Sequence, residues 1–256
     1  MAREMMKGRY WYCVLVALAC HLVGTLPNLI AKALTNNSFI LLSVELASFV
    51  VEISMTLCAT SFYLRVFRSQ ETTLDGFTEP FVLTWKGLLM EIISYIQIFL
   101  WSLLLVVPGI ICAIKHAQNF NVMIDNPEFT AMECIHRSHE IMDGNKWKYV
   151  KLLLSFIGWQ ILVNFPASAY QAVYGPQFDA YIYFSDSMTV EEFRLMFDRY
   201  SAAVEAFNAR PVPFLLGLIP VLLTAYICVS KAAFYDLAAG NLVVQDEMQQ
   251  TDEIYY

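Results

Sequence analysis

Residues 101–159 read WSLLLVVPGIICAIKHAQNFNVMIDNPEFTAMECIHRSHEIMDGNKWKYVKLLLSFIGW. This stretch begins and ends in apolar runs, and the segment between them is polar and carries helix-capping signals. Apolar runs of this kind are typical of helices that cross a membrane, whereas a polar segment with one apolar face is typical of a helix on its surface. Most of the chain on either side is apolar as well. The stretch therefore predicts a protein built from membrane-spanning helices.

The composition of the whole chain agrees with this interpretation. Of the 256 residues, 58% are hydrophobic and only 15% are charged, and the mean hydropathy is +0.51. A soluble domain carries about a quarter charged residues, so the excess of apolar residues indicates a lipid environment. The apolar runs are continuous, whereas the strands of a membrane β-barrel alternate between polar and apolar residues. The predicted fold class is all-α: a polytopic membrane helix bundle with six spans and two amphipathic surface helices.

Charge and cysteine usage argue against several kinds of site. The formal net charge is −7, and no basic stripe with interleaved aromatic residues occurs, so we expect no nucleic acid as a partner. The six cysteines form no C-x-x-C pair, which argues against a disulfide framework and against a zinc ribbon. We predict neither a metal site nor a cofactor.

Continuous apolar runs mark the six predicted spans. They are residues 10–29, 39–64, 87–107, 110–124, 149–165 and 213–233. The fourth is short and polar, and at about 1.5 Å per residue it barely crosses the hydrocarbon core, so other helices should shield it from lipid. We predict a single domain over residues 1–240, followed by a short acidic tail over residues 241–256.

The two surface helices are predicted from their capping signals. Asn126-Pro127-Glu128 is a typical helix start, and the helix should run to about Met142 and stop at Asp143-Gly144. The second helix, residues 189–207, begins with a capping box, Thr189-Val190-Glu191-Glu192. It lies in residues 166–211, which form the one large hydrophilic excursion between spans.

The basic residues set the predicted orientation. With the amino terminus inside and six crossings, the inner segments hold 12 lysines and arginines and the outer segments hold 4. Inner segments of membrane proteins carry such an excess of basic residues. We therefore predict that both termini are cytoplasmic and that residues 166–211 lie outside.

The opening stretch also carries a family resemblance. Its pattern of P-G-I-I, D-N-P, M-x-G-x-K-W and L-S-F-I-G-W, followed by A-F-Y-x-D-L near the end of the chain, resembles an uncharacterised group of bacterial integral membrane proteins, domain-of-unknown-function family 975. The matching residues are Pro108, Gly109, Asp125, Asn126, Pro127, Ser138, Met142, Gly144, Lys146, Trp147, Ser155, Gly158, Trp159 and 232–237. The resemblance covers most of residues 60–238 and implies a membrane fold in a bacterial cell membrane, without an established activity. The expanded loop 166–211 departs from the family pattern.

Ionisable residues inside the predicted spans are the strongest site candidates, because a charge within the bilayer is costly unless it has a partner. Counting from the helix ends places five of them at similar depths, which predicts an intramembrane polar cluster that joins spans 1, 2 and 4. Its members are Glu45, Glu52, His21, Lys115 and His116. The cluster is either a path for protons or cations, or an ionic contact that fixes helix packing.

Two other features have both a functional and a structural interpretation. Pro108-Gly109 is a candidate hinge of the kind found in the broken helices of transporters, although such a pair more often ends one span and turns into the next. His136, His139 and Glu140 have a spacing that suggests a metal site, but H-x-x-H-E matches no zinc-protease helix, and solvated side chains on a surface helix are the better interpretation.

No motif of a known catalytic site is present, so we predict that the chain is not an enzyme. Two functions remain. The first is a membrane scaffold or accessory subunit, which contacts the lipid bilayer and binds a protein partner or further copies through its membrane helices or the 189–207 helix. The alternative is a small transporter or channel that uses the intramembrane polar cluster.

Overall fold

A computed structural model of the protein describes residues 8–34, 38–70, 74–177, 189–208 and 210–241. These residues are almost entirely helical and contain no strand, which confirms the all-α class. The helices, in chain order, are α1 Tyr10–Leu34, α2 Ser38–Phe67, α3 Leu74–Thr78, α4 Thr84–Leu104, α5 Val106–Lys115, α6 Asn119–Asp125, α7 Ala131–Met142, α8 Lys146–Tyr174, α9 Val190–Asn208, α10 Pro211–Gly217 and α11 Ile219–Ala239. Short 3₁₀ turns, Glu79–Leu83 and His116–Gln118, precede α4 and α6.

Four helical segments in the described part of the chain are long and apolar enough to cross a membrane. They are Phe39–Phe67, Gly76–Leu104, Lys146–Tyr174 and Pro211–Ala239. A shorter apolar stretch, Tyr10–Thr25, lies in α1. The four segments indicate insertion into a membrane, and the count of six spans stays a prediction.

The predicted fourth span, residues 110–124, differs most from the structure. It is divided among α5, the 3₁₀ turn His116–Gln118 and α6, and none of these pieces is long enough to cross a membrane. The 3₁₀ turn lies at the polar residues that interrupt the apolar run. The Gln118 backbone N–H and the Asn119 side-chain amide in this region form hydrogen bonds to neighbouring helices. Residues 106–125 are therefore not among the four candidate spans, and the crossing of the membrane by this broken segment as a whole stays a prediction.

The chain divides into two compact units, residues 1–155 with 224–256 and residues 156–223. In the first unit, α1 packs against α2, α4 packs against α5, and α7 packs against α4, α5 and α6. The hydroxyl of Tyr63 donates to the carbonyl of Cys13 at 3.2 Å and so joins α2 to α1. Leu57, Leu64 and Met90 are among the fully buried side chains of this unit. The single domain predicted over residues 1–240 stays a prediction.

The second unit contains the larger part of α8 (residues 156–174), all of α9 and α10, and the start of α11. Helix α8 passes through Pro166 to Tyr174, nine residues beyond its predicted end, because a proline removes only one helical donor and does not by itself end a helix. Tyr170 stacks on Phe207 of α9 with ring centroids 5.6 Å apart. Residues 178–188 of the predicted outer loop, and residues 242–256 of the predicted tail, lie outside the described residues.

Capping sets the ends of the two surface helices. Helix α9 begins after Thr189 as predicted, and the Glu192 carboxylate accepts from the Thr189 N–H at 2.8 Å. Helix α7 begins four residues later than the first predicted helical residue, Pro127. Thr130 and Glu133 form a capping box there that the sequence analysis missed. The predicted stop at Asp143-Gly144 is confirmed, because Gly144 has φ +81°, in the region that favours glycine.

Candidate functional site

A cavity of about 450 Å³ lies in the first unit, between α1, α2, α6 with its preceding 3₁₀ turn, and α11. The polar side chains on its wall are those of His21, Glu52, Thr56, Thr60, Tyr63, Asn121, Thr224 and Lys231. Small and apolar residues such as Ala17, Ala59 and Phe120 form the remainder. Sites for small molecules commonly measure about 300–1,000 Å³ and combine apolar walls with a few polar groups. The cavity has both properties.

Two of the five residues predicted to form the intramembrane polar cluster line this cavity. His21 comes from α1 and Glu52 from α2, and both side chains are exposed. The cation on the wall is Lys231 of α11, which the sequence analysis did not select. One carboxylate, one imidazole and one ammonium group therefore surround a single cavity.

Glu45 does not line the cavity. It lies seven residues before Glu52, which places both on one face of α2 but separates them by about 10 Å along the helix axis. Its side chain is exposed. A spacing of seven residues places the two glutamates on one face of the helix but at different positions along its axis. For this reason only Glu52 reaches the cavity.

Lys115 and His116 also lie away from the cavity, where α5 meets the 3₁₀ turn. His116 is buried, and its ring lies edge-on to that of His139 in α7 with centroids 4.7 Å apart. The expectation that His116 shares a depth with Glu52 assumed one continuous helix over residues 110–124. Because that segment is broken, these two residues contact α7 instead.

The environment of the two histidines keeps them neutral. Burial lowers the pKa of His116 to about 4, and the nearby His139 and Lys115 add to this effect. The pKa of His139 is lowered as well, by burial first and then by Lys115 and His136. At pH 7 the pair therefore carries no charge.

A network of buried polar side chains surrounds His116. The hydroxyl of Ser138 in α7 accepts from the backbone N–H of Gln118 at 3.3 Å. The Asn119 amide donates to the hydroxyl of Ser94 in α4 at 2.9 Å. The Asn121 amide donates to the side-chain carbonyl of Gln118 at 2.7 Å, and Asn121 also lines the cavity. The network fixes the broken segment to α4 and α7.

The chain turns at Leu105, three residues before the candidate hinge Pro108-Gly109. Leu105 is extended (φ −160°, ψ 146°) between α4 and α5. Pro108 lies in the first turn of α5, where its missing N–H removes no intrahelical hydrogen bond. A Cβ on Gly109 would lie 2.9 Å from the Cα of Ser102, so glycine permits the close approach of α4 and α5. Gly109 therefore contributes to the packing of this helical hairpin, the break between the helices lies at Leu105 instead of at Pro108-Gly109, and the hinge role stays a prediction.

Arg68, directly after α2, binds two carboxylates from distant parts of the chain, and we call this set the Arg68 junction. Its Nη1 and Nη2 donate to the two carboxylate oxygens of Asp125 at 2.7 Å each. Its Nε and Nη2 donate to Asp236 at 3.0 and 2.6 Å. Asp236 has no exposed surface and also accepts from the Asn241 amide at 3.0 Å. Burial alone lowers the pKa of Arg68, but its hydrogen bonds to Asp125 and Asp236 outweigh burial and raise it above its ordinary range.

Three residues of the cavity and the Arg68 junction were not predicted from the sequence: Arg68, Asp236 and Lys231. A signal was present for Asp236, because an acid at the end of an apolar helix is costly unless it is paired. Its partner could not be inferred, since Arg68 lies 168 residues earlier in the chain. Lys231 is one of the 12 basic residues of the predicted inner segments, and nothing in its local sequence indicates the cavity.

The histidines of α7 do not converge on one site. The Nδ1 of the exposed His136 lies 4.0 Å from the Glu140 carboxylate, whereas His139 contacts His116. Among the residues that the structure describes, no group of three or more histidine, cysteine, aspartate or glutamate side chains is arranged to hold a metal ion.

Comparison with known proteins identifies the family. The model of the family described as "Protein of unknown function (DUF975)" matches residues 103–239, which is more than half of the chain. No curated protein and no solved structure is significantly similar to the chain. The match begins near the end of α4, ends with α11 and includes both aspartates of the Arg68 junction. The resemblance inferred from the sequence motifs is confirmed, and the chain belongs to the DUF975 family of proteins of unknown function.

Proposed function

We propose that the chain is a membrane scaffold or accessory subunit that binds a protein partner, or further copies of itself, through its apolar helices. The supporting observation is how little of these helices the chain itself covers. Phe39–Phe67 and Gly76–Leu104 bury only 22% and 17% of the residues in their most apolar windows. Lipid tails are as apolar as leucine, so helices associate in a bilayer through packing. Uncovered faces of this extent favour packing against other helices.

The scaffold role involves no reaction, in keeping with the lack of a catalytic motif in the sequence. We place the protein in a bacterial cell membrane, crossing it several times with both termini in the cytoplasm. The excess of basic residues in the inner segments supports this orientation. Trp85 and Trp147 support it as well, since both are exposed beside lysines at the starts of their helices, a position typical of the membrane interface.

Native mass spectrometry of the full chain from a mild detergent tests the scaffold role. The expected result is a complex of fixed stoichiometry, either a homo-oligomer or one partner found in equal amount. A photo-reactive residue at Phe99, which is 65% exposed on α4, should form protein cross-links in the membrane. The matched control is the same residue at Met90, which is fully buried on the same helix. A monomer in which the Phe99 site forms only lipid adducts would refute the proposal.

A second candidate, a small transporter or channel, is favoured by one observation: the cavity between the membrane helices has Glu52, His21 and Lys231 on its wall. Purified protein in lipid vesicles should then conduct protons or small solutes. Glu52→Gln should alter this flux without loss of folding, whereas Glu45→Gln, on the same face of α2 but outside the cavity, should leave it unchanged. Equal flux in all three proteins, or in vesicles without protein, would exclude transport through the cavity.

A further inference from the structure

Glu52 and Lys231 on the cavity wall have no ionic partners within the part of the chain that the structure describes. Among the described residues, neither the Glu52 carboxylate nor the Lys231 ammonium group lies within 4.0 Å of an opposite charge or makes a side-chain hydrogen bond. Both belong to helices that are long and apolar enough to cross a membrane. Unpaired charges in such an environment are costly, so groups of opposite charge from outside the chain would stabilise each of them.

Three of the four hydroxyl groups on the same wall donate their protons to backbone carbonyls, which limits what they can bind. The Thr56 hydroxyl donates to the backbone carbonyl of Glu52 at 2.8 Å, and the Thr60 hydroxyl donates to that of Thr56 at 2.7 Å. The Tyr63 hydroxyl donates to Cys13 in α1. Each of these three hydroxyl groups therefore uses its proton in a hydrogen bond to the backbone. Its oxygen can only accept a further hydrogen bond, through its lone pairs. Together with Glu52, this wall suits a donor-rich cation such as an ammonium group.

We propose that the cavity binds a small zwitterion, a compound with an ammonium group and an acidic group joined by a short spacer. The ammonium group pairs with Glu52 and with the threonine oxygens beside it. The acidic group pairs with Lys231. The spacer lies against the small and apolar part of the wall, which includes Met55, Ala59 and Phe120. A ligand with only one of the two charges leaves either Glu52 or Lys231 unpaired.

Two sources can supply this chemistry, a zwitterionic lipid headgroup or a free zwitterion in solution. Both carry the same pair of charges, and only the first brings acyl chains. The proposal names the ligand of the cavity on which transport, the second candidate function, would rest, and it is independent of the scaffold role. Zwitterion binding without flux would support the proposal and exclude transport. Flux without zwitterion binding would support transport and refute the proposal.

The test compares three probes on the full-length wild-type protein in a neutral sugar detergent. They are dioctanoyl phosphatidylethanolamine, which is zwitterionic, dioctanoyl phosphatidylglycerol, which is only anionic, and octylammonium, which is only cationic. Apparent dissociation constants come from titrations followed by native mass spectrometry. We expect the zwitterion to bind at least about tenfold more tightly than either singly charged probe, because each of those loses one charged hydrogen bond. Equal affinities for the three probes would overturn the proposal.

Charge-neutralising variants assign the two contacts. Glu52→Gln should reduce the affinity for the zwitterion to that for the anionic probe. Lys231→Met should reduce it to that for the cationic probe. The matched controls are Glu45→Gln, on the same face of α2, and Lys151→Met, an exposed lysine of α8; both should bind as the wild type does. Variants at Glu52 and Lys231 that retain wild-type affinity would refute the assignment. Should either variant fail to fold, the wild-type comparison of probes still decides the proposal.

Free glycerophosphoethanolamine, which has the same phosphodiester and ammonium group as the lipid but no acyl chains, distinguishes the two sources. If it binds as tightly as the dioctanoyl lipid, the cavity takes a free zwitterion. If only the lipid binds, and Glu52→Gln weakens that binding, the cavity takes a lipid headgroup. Lipid binding that is unaffected by either charge variant would instead report acyl chains on the outer surface of the helices and would count against the proposal.

Discussion

Asp236 has no exposed surface, and its only cationic partner among the described residues is Arg68 at 2.6 Å. Replacing Arg68 with glutamine keeps most of the side-chain volume but leaves the Asp236 carboxylate buried without a counter-charge. We expect Arg68→Gln to lower the free energy of unfolding by about 3–5 kcal/mol, the range measured when one member of a buried ion pair is removed. The thermal unfolding midpoint of the purified protein measures this loss.

Arg65 provides the control for this substitution. It lies three residues earlier and pairs with Glu79 at 2.7 Å, but the two side chains are 32% and 72% exposed. Solvent screens an exposed pair, so Arg65→Gln should cost no more than about 1 kcal/mol. Equal losses from the two substitutions would show that the Arg68 junction adds no more stability than a surface ion pair.

The His116–His139 pair predicts how stability depends on pH. The pKa of His116 is about 4 in the folded protein and about 6.5 in an unfolded chain, so the unfolded chain binds the proton first as the pH falls. Stability is therefore complete above pH 6.5 and declines as the pH drops from 6.5 towards 4. At pH 5 the loss from His116 should be on the order of 1–2 kcal/mol.

Melting the wild type and two variants between pH 7.5 and 5 tests this expectation. His116→Asn removes the titrating group and should reduce the pH dependence, whatever its effect on stability at pH 7.5. His136→Asn removes an exposed histidine of α7 and should change the dependence much less, because it acts only through its small contribution to the lowered pKa of His139. A wild-type midpoint that is constant over this range would contradict the prediction.

At the scale of the element, the hairpin of α4 and α5 depends on one close contact. A methyl group on Gly109 would meet the backbone of Ser102, which cannot move without separating the two helices. We expect Gly109→Ala to destabilise the protein by about 1–3 kcal/mol through overpacking, measured by thermal unfolding.

Gly158 supplies the matched substitution in an open position. A Cβ there meets nothing within 4 Å, and the residue lies inside α8. Because alanine favours a helix over glycine, Gly158→Ala should raise stability by up to about 1 kcal/mol. A rise in stability at both glycines would mean that helix propensity outweighs the Ser102 contact.

The long apolar helices and α9 could be predicted from the sequence because their signals are local. Thr189 and Glu192 are three residues apart, and an apolar run needs no distant partner to be recognised. The break inside residues 110–124 was missed because its cause is tertiary: Asn119 bonds to Ser94, and Gln118 bonds to Ser138. Glu52 could be predicted as a site residue because an ionisable side chain inside a membrane span is energetically costly. Lys231 could not, because the cavity that both residues line is formed by helices that are distant in sequence.

For the whole molecule, the predicted orientation places α7 inside and α9 outside, with α8 crossing between them. Glu140→Cys on α7 and Glu191→Cys on α9 place thiols at exposed positions on the two sides. A membrane-impermeant maleimide should label Glu191→Cys in intact cells and Glu140→Cys only after the membrane is opened. The unsubstituted chain gives the background from its own cysteines. Labelling of both positions from the same side would refute this orientation.

The Arg68 junction also has a consequence for the order in which the chain is made. Asp125 follows Arg68 by 57 residues and Asp236 follows it by 168. At ordinary rates of synthesis, about 10–30 s separate the appearance of Arg68 from that of Asp236. During this interval the arginine has one of its two carboxylates at most. A chain cut short before residue 236 never acquires the second, so synthesis must proceed at least as far as residue 236 before this contact can form.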